Sequence, residues 1–208
     1  MREESRQAHW EDVYITKDET AVSWFQDSPA PSLELIAQAG RGKDTDIIDI
    51  GGGASRLASG LLERGFRRVT VLDISQAAID LASLRLGRRA SEVQWITADV
   101  TRWPPSRAFD IWHDRAAFHF LTDPADRAAY VVRLNEALRA GGHAIIATFA
   151  VDGPERCSGL PVNRYDAEGL SRELGQAFTL VESRRHDHVT PSNATQRFQF
   201  SLFQKQGG

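Results

Sequence analysis

Asp49 stands two residues ahead of three successive glycines, Gly51, Gly52 and Gly53, in the run Asp46-Ile-Ile-Asp-Ile-Gly-Gly-Gly-Ala-Ser-Arg-Leu57. Two further acids end later apolar runs: Asp73 after Val69-Thr-Val-Leu, and Asp99 after Val93-Gln-Trp-Ile-Thr-Ala. Glycines let a backbone turn tightly or pass close to a ligand. A helix starting at such a turn offers free N–H groups and a positive dipole end. Asp73 lies about twenty residues past the glycines, where an acid bonds the two hydroxyls of an adenosine ribose. The chemistry implied is the seating of an adenosine cofactor, either a dinucleotide or S-adenosylmethionine.

Charge and spacing separate the two. A dinucleotide fingerprint asks for G-x-G-x-x-G, but the sixth position counted from Gly51 is Arg56. Asp49 would repel a pyrophosphate, whereas it would attract the ammonium of a methionine moiety and its neighbouring sulfonium. S-Adenosylmethionine is therefore the expected cofactor.

A second polar group, Trp112-His-Asp-Arg-Ala-Ala-Phe-His119, closes a later apolar run. His113 and His119 are candidate general bases, because imidazole titrates near neutral pH. Arg115 would suit a carboxylate, and Asp114 could pair with it or help hold a charged ligand. Trp10 and Tyr14, four apart, would share a helical face, either capping the domain or covering a ligand. Together with Asp114 they join the cofactor-binding candidates, while His113, His119 and Arg115 are the catalytic ones. Arg164 and Tyr165 could reach the mouth of such a site or pack at a helix entry. His186 and His188 lack further ligands nearby, so no metal is expected. Cys157, the sole cysteine, reads as a loop thiol that can form no intramolecular disulfide.

The elements that would position these residues alternate. Helix patterns cover Pro31–Ala39, Ala54–Arg64, Ser75–Leu86, Asp123–Arg139 and Asp166–Leu174, with Ser75 and Asp166 as caps. Strand patterns cover 46–50, 69–73, 93–99, 109–115, 143–149, 178–182 and 196–203. Arg41-Gly-Lys-Asp, 150–164 and 184–195 read as loops. No helix joins the last two strands, so the final strand should be antiparallel. The expected fold is α/β, a Rossmann-like doubly wound seven-stranded sheet, mostly parallel with an antiparallel last strand. One domain is expected over 1–208, with a core at 45–205 and residues 1–30 as a lid or cap.

With 208 residues, a net charge of −3 and a pI of about 6.1, a broad phosphate-binding surface is not expected, and hence no nucleic-acid partner. No apolar run approaches the ~18 residues of a membrane span, and no signal-peptide core opens the chain. The expectation is a cytoplasmic protein without a membrane partner.

Asp49-x-Gly51-x-Gly53, Asp73, Asp99 and the antiparallel last strand together resemble class I S-adenosylmethionine-dependent methyltransferases over roughly residues 45–205. The resemblance implies that Gly51 and Gly53 pass close to the methionine part and that Asp49 orients it, with Gly52 counted among the cofactor-binding residues. It further implies Asp73 on the ribose, Ile74 against adenine, Asp99 on the adenine amino group and Val100 beside it. Gly52 stands where a cysteine is often found between the two flanking glycines. His9-Trp10 to Tyr14, Val22-Ser-Trp-Phe25 and His113-Asp-Arg115 are similar to a branch that includes protein-lysine methyltransferases. The Asn/Asp-Pro-Pro-Tyr/Phe sequence of enzymes that methylate adenine or glutamine amino groups is absent. The expected reaction is methyl transfer to an O, N or S nucleophile of a small molecule. A protein lysine is the alternative acceptor, and a nicotinamide oxidoreductase the alternative class.

Overall fold

The computed structural model describes residues 3–40 and 42–207; Arg41, placed in a loop by its sequence, and the first two residues of the 1–30 segment lie outside them. Among the described residues, nine strands follow in chain order: β1 Asp46–Ile50, β2 Arg68–Asp73, β3 Val93–Thr97, β4 Phe109–Arg115, β5 Leu138–Phe149, β6 Arg156–Cys157, β7 Leu160–Pro161, β8 Phe178–Val189 and β9 Thr195–Lys205. The α-helices are α1 Glu3–Thr16, α2 Ala30–Ala39, α3 Leu57–Glu63, α4 Gln76–Leu86, α5 Pro124–Ala137 and α6 Ala167–Leu174. Seven strands form one sheet in the order β3-β2-β1-β4-β5-β9-β8. β1 through β5 run parallel, and β9 is antiparallel to both neighbours, as its helix-free connection required.

Both faces are covered, so β1 is buried along its whole length and its apolar run is uninterrupted except by acids. Leu35 and Ile36 of α2 and Leu57 and Leu61 of α3 pack on one face. Trp112, Tyr130, Leu134 and Phe178 build the other. Local signals set the helix ends: the Ser75 hydroxyl accepts from the Ala78 amide, and the Asp166 carboxylate accepts from Gly169. β1 sits where the strand order reverses, with β2 on one side and β4 on the other. In such sheets the crevice at the carboxyl ends of the central strands is the natural ligand site.

Three boundaries differ most from the expectations. β8 continues to Val189, pairing with β9 as far as Val189↔Thr195, so His186 and His188 lie on a strand and the connecting turn shrinks to 190–194. The inward positions there are Glu182, Arg184, His186 and His188, so the period-two signal is carried by polar residues and hydrophobicity does not reveal it. Segment 150–164 is not all loop: β6 and β7 form a hairpin through Ser158 (φ 48°) and Gly159 (φ 77°), the two positive angles of a type I′ turn. β5 begins at Leu138 instead of His143, bending through Gly141 at φ 73°.

Candidate functional site

Each of the three glycines has a steric reason to lack a side chain. Gly51 has φ 65°, and a Cβ there would fall 2.8 Å from the Ala117 Cβ. At Gly52 a Cβ would lie 2.3 Å from Asp49 Oδ2, and at Gly53 one would lie 2.6 Å from Asp73 Oδ2. The second and third positions therefore leave room for the two carboxylates that line the turn. Asp73 in turn accepts from the Gly53 amide (2.9 Å) and the Ser75 amide (2.9 Å), tying the glycine turn to the start of α4. Burial outweighs these bonds and raises its carboxyl from the ordinary 3.8 to about 6.

A cleft opens beside this turn. Its floor carries Gly51, Asp73, Ile74, Asp99 and Val100, and its roof is aromatic: Trp10, Tyr14 and Trp24, with Phe120 beside them. The Trp10 ring lies 4.9 Å from Phe120 and 5.7 Å from Trp24, both edge-on. Arg6 secures the roof to the floor, donating to Asp99 (2.7 Å) and Asp126 (2.5 Å). The other Asp99 oxygen accepts from the Thr101 amide and hydroxyl. Glu11 adds a second tie, accepting from the Ser75 hydroxyl (2.7 Å) and the Ala77 amide (3.1 Å). Burial, then the Asp73 charge, push the Tyr14 hydroxyl far above the ordinary range, and burial lifts the Cys157 thiol to about 11. Both stay protonated near neutral pH.

A narrower compartment adjoins the cleft, lined by Asp49, Gly51, Gly52, His113 and Arg115. Arg115 donates through Nη2 to the Trp24 carbonyl (2.9 Å), while its Nη1 is buried without a partner. Asp49 Oδ2 is likewise buried and unpartnered. Its other oxygen accepts from His113 Nδ1 at 2.6 Å, and His113 Nε2 meets the Ser32 hydroxyl at 2.8 Å. Two opposite charges thus line one small compartment, each with an open hydrogen-bonding atom.

Most of the residues singled out from the sequence meet in this cleft: Trp10, Tyr14, Asp49, Gly51, Gly52, Asp73, Ile74, Asp99, Val100, His113 and Arg115 line it, with Gly53 directly behind. Asp114 and His119 do not. Asp114 turns to the opposite face of β4, where it accepts from the Ala117 and Phe118 amides and the Tyr130 hydroxyl (2.8 Å). It forms no ion pair with Arg115, because neighbouring residues of a strand point to opposite faces. His119 is fully buried beside Phe149, accepting from its amide at 3.3 Å. Burial, then the charge of Arg115, push its ring down to about 3. Arg164 pairs with Glu155, and Tyr165 packs in the α5–α6 core.

Arg6, Phe120 and Ser32 join the site without having been singled out, and Trp24, named only within the Val22–Phe25 motif, joins them. Arg6 was findable, since Arg6, Trp10 and Tyr14 follow a spacing of four and share one face of α1. Ser32 carries no such signal, because its partner His113 is supplied by a distant strand.

Residues 47–142 match the family model described as a methyltransferase domain. Among curated proteins, the chain is 28% identical over 146 residues to a tRNA U34 carboxymethyltransferase of Tolumonas auensis, covering 68% of this chain and 41% of that protein. The chain thus matches only about two fifths of such a relative's length. Among solved structures, one described for the conversion of a disulfide bond into a thioacetal group during echinomycin biosynthesis superposes with a TM-score of 0.76 at 20% identity, covering 96% of this chain and 93% of the other. The N-methyltransferase NodS of Bradyrhizobium japonicum, in complex with S-adenosylhomocysteine, superposes at 0.73 with 19% identity over 97% and 99% of the two chains. These structures share the fold. No helix among the described residues is long and apolar enough to cross a membrane.

Proposed function

We propose that this chain, which matches a methyltransferase domain over residues 47–142, is a class I S-adenosylmethionine-dependent methyltransferase and transfers the methyl group of S-adenosylmethionine to an O, N or S nucleophile of a small molecule. One observation carries the reading. Asp49 Oδ2 and Arg115 Nη1, both buried and unpartnered, share a compartment that continues into the cleft holding Asp73. An ammonium and a carboxylate three bonds apart, linked to an adenosine, fit that arrangement: the ammonium toward Asp49, the carboxylate toward Arg115, the ribose diol toward Asp73. Adenine then lies between Ile74 and Val100, close to Asp99. A nicotinamide dinucleotide would bring its pyrophosphate against Asp49. Arg56, in place of the fingerprint's last glycine, pairs with Asp27 and lies over the Phe25 ring.

Methyl transfer is an in-line displacement in which the enzyme mainly aligns donor and acceptor. With the cofactor's ammonium on Asp49 Oδ2, none of the described residues lining the cleft is left as a free base. Arg6 and Arg115 are cations, Tyr14 and Cys157 hold their protons, and Asp73 and Asp99 are held by donors of the protein. His113 has both ring nitrogens engaged, and His119 lies outside. The acceptor therefore enters already nucleophilic, as a neutral amine, a thiolate, a thioether or an ionised oxygen. Arg115 acts in binding the donor, and His113 and His119 support the site without taking the acceptor's proton.

The roof of Trp10, Tyr14 and Trp24 acts as the lid, and it favours a small acceptor over a protein lysine or tRNA. Incubation with methyl-labelled S-adenosylmethionine and, in parallel, pooled small metabolites, bulk protein and tRNA tests the reading. Label should enter the small-molecule pool; label confined to protein or tRNA would overturn the acceptor class.

A further inference from the structure

Ser32, His113 and Asp49 form a continuous hydrogen-bonded line from α2 through β4 to β1, with contacts of 2.8 and 2.6 Å. The order is that of a hydrolytic triad, but Ser32 is 1% exposed and none of the cleft-lining surface reaches its hydroxyl. A nucleophile needs an approach path, so hydrolysis is not the use of this line. What the line does have is a free end: Asp49 Oδ2, buried, unpartnered and facing the compartment. Gly52 keeps that end open, since a Cβ at position 52 would lie 2.3 Å from this oxygen.

We infer that Ser32 and His113 are positioning residues that act through Asp49, holding its carboxylate so that one oxygen is committed to the protein and the other to the ammonium of the cofactor. This rests on the cofactor assignment proposed above. An ionised carboxylate only accepts, so His113 Nδ1 carries the proton of the 2.6 Å bond. Nε2 is then fixed as the site that the Ser32 hydroxyl meets. The ring cannot flip without leaving a buried nitrogen facing the wrong partner, and such a mismatch is costly. A carboxylate held at one oxygen loses little freedom when the second oxygen is engaged, which is the general source of preorganised binding. The glycine turn beside it has no side chain to do this, so the orienting groups come from the strand and helix behind.

The relay makes a claim about one end of the ligand only. S-Adenosylhomocysteine carries the ammonium; 5′-methylthioadenosine has the same adenosine and thioether but no amino-acid end. Titration calorimetry of full-length wild-type protein and the variants Ser32→Ala, His113→Leu and His113→Asn with both nucleosides separates the possibilities. Asn places an amide N–H where Nδ1 stands, keeping the bond to Asp49 and losing only that to Ser32. Loss of a hydrogen bond to a charged group should weaken S-adenosylhomocysteine about tenfold or more in His113→Leu. His113→Asn should recover most of that loss, Ser32→Ala should lie between, and 5′-methylthioadenosine should bind all four proteins alike. Equal weakening of both nucleosides in a folded variant, or no weakening of either, overturns the relay while leaving the cofactor assignment intact. Should His113→Leu not fold, Ser32→Ala and His113→Asn give the same contrast. Wild-type protein that binds neither nucleoside overturns the cofactor assignment itself.

Discussion

Asp73→Asn separates what the carboxylate does for the ligand from what it does to the fold. The carboxyl is 5% exposed and accepts two backbone amides, yet burial raises it from 3.8 to about 6. At 1.36 kcal/mol per tenfold, keeping it ionised in the empty protein costs about 3 kcal/mol relative to the unfolded chain. The folded pKa is raised, so the folded state binds more protons between 3.8 and 6. Stability therefore falls as pH rises through that window, and the penalty is fully present above about 6. The amide of Asn carries no such penalty but can accept only one of the two backbone N–H groups, a loss of about 1–3 kcal/mol. The two effects oppose each other at pH 7.5 and leave at most about 2 kcal/mol between the proteins. The melting temperature of the empty variant should stay near that of wild type there, and drop below it at pH 4.5, where most of the penalty has gone. Affinity should behave differently: without the charge, the ribose bonds weaken and S-adenosylhomocysteine should bind about 10–100-fold more weakly at pH 7.5. Thermal melts at the two pH values and calorimetry at the higher one measure both quantities. Unchanged affinity would refute the ribose role, and a pH-independent stability difference would refute the buried charge.

Two other perturbations probe the turn and the roof. Gly52→Ala places a Cβ where Asp49 Oδ2 now stands, 2.3 Å away, so the carboxylate must rotate off His113 or be covered. Affinity for S-adenosylhomocysteine, measured by titration, should fall about tenfold or more, and an unchanged value would mean Asp49 does not meet the ammonium. Arg6→Ala removes the cation that joins α1 to Asp99 and Asp126; breaking a largely buried pair costs about 3 kcal/mol. Amide hydrogen exchange over residues 6–16 should then accelerate about a hundredfold, and unchanged protection would show that α1 is held by its aromatic face alone.

How far these features could be read from the sequence depends on which physical signal each residue carries. β1 and its glycine turn were legible because a strand buried on both faces reads as an apolar run, and because acids inside such a run are rare enough to imply a ligand. The caps at Ser75 and Asp166 were legible for the same local reason, since each bonds within its own first turn. β8 was underestimated because its inward side is built from Glu182, Arg184, His186 and His188, of which Glu182, Arg184 and His188 meet Gln38, Glu34 and the Ser23 carbonyl. The group after β4 shows the opposite difficulty. His113, Asp114 and Arg115 look like one catalytic cluster, but strand alternation sends Asp114 to the far face. His119 looks like an available base, but its burial against Phe149 and Phe120 comes entirely from tertiary packing. The Ser32–His113 contact spans 81 residues, and nothing local to either residue announces it.

The seat for a cationic, zwitterionic nucleoside is the central claim, and titration calorimetry of the wild-type protein tests it most directly. S-Adenosylmethionine and S-adenosylhomocysteine should bind with dissociation constants in the micromolar range, and NAD should give no heat of binding. Binding of NAD without either sulfur nucleoside would contradict the account at its root.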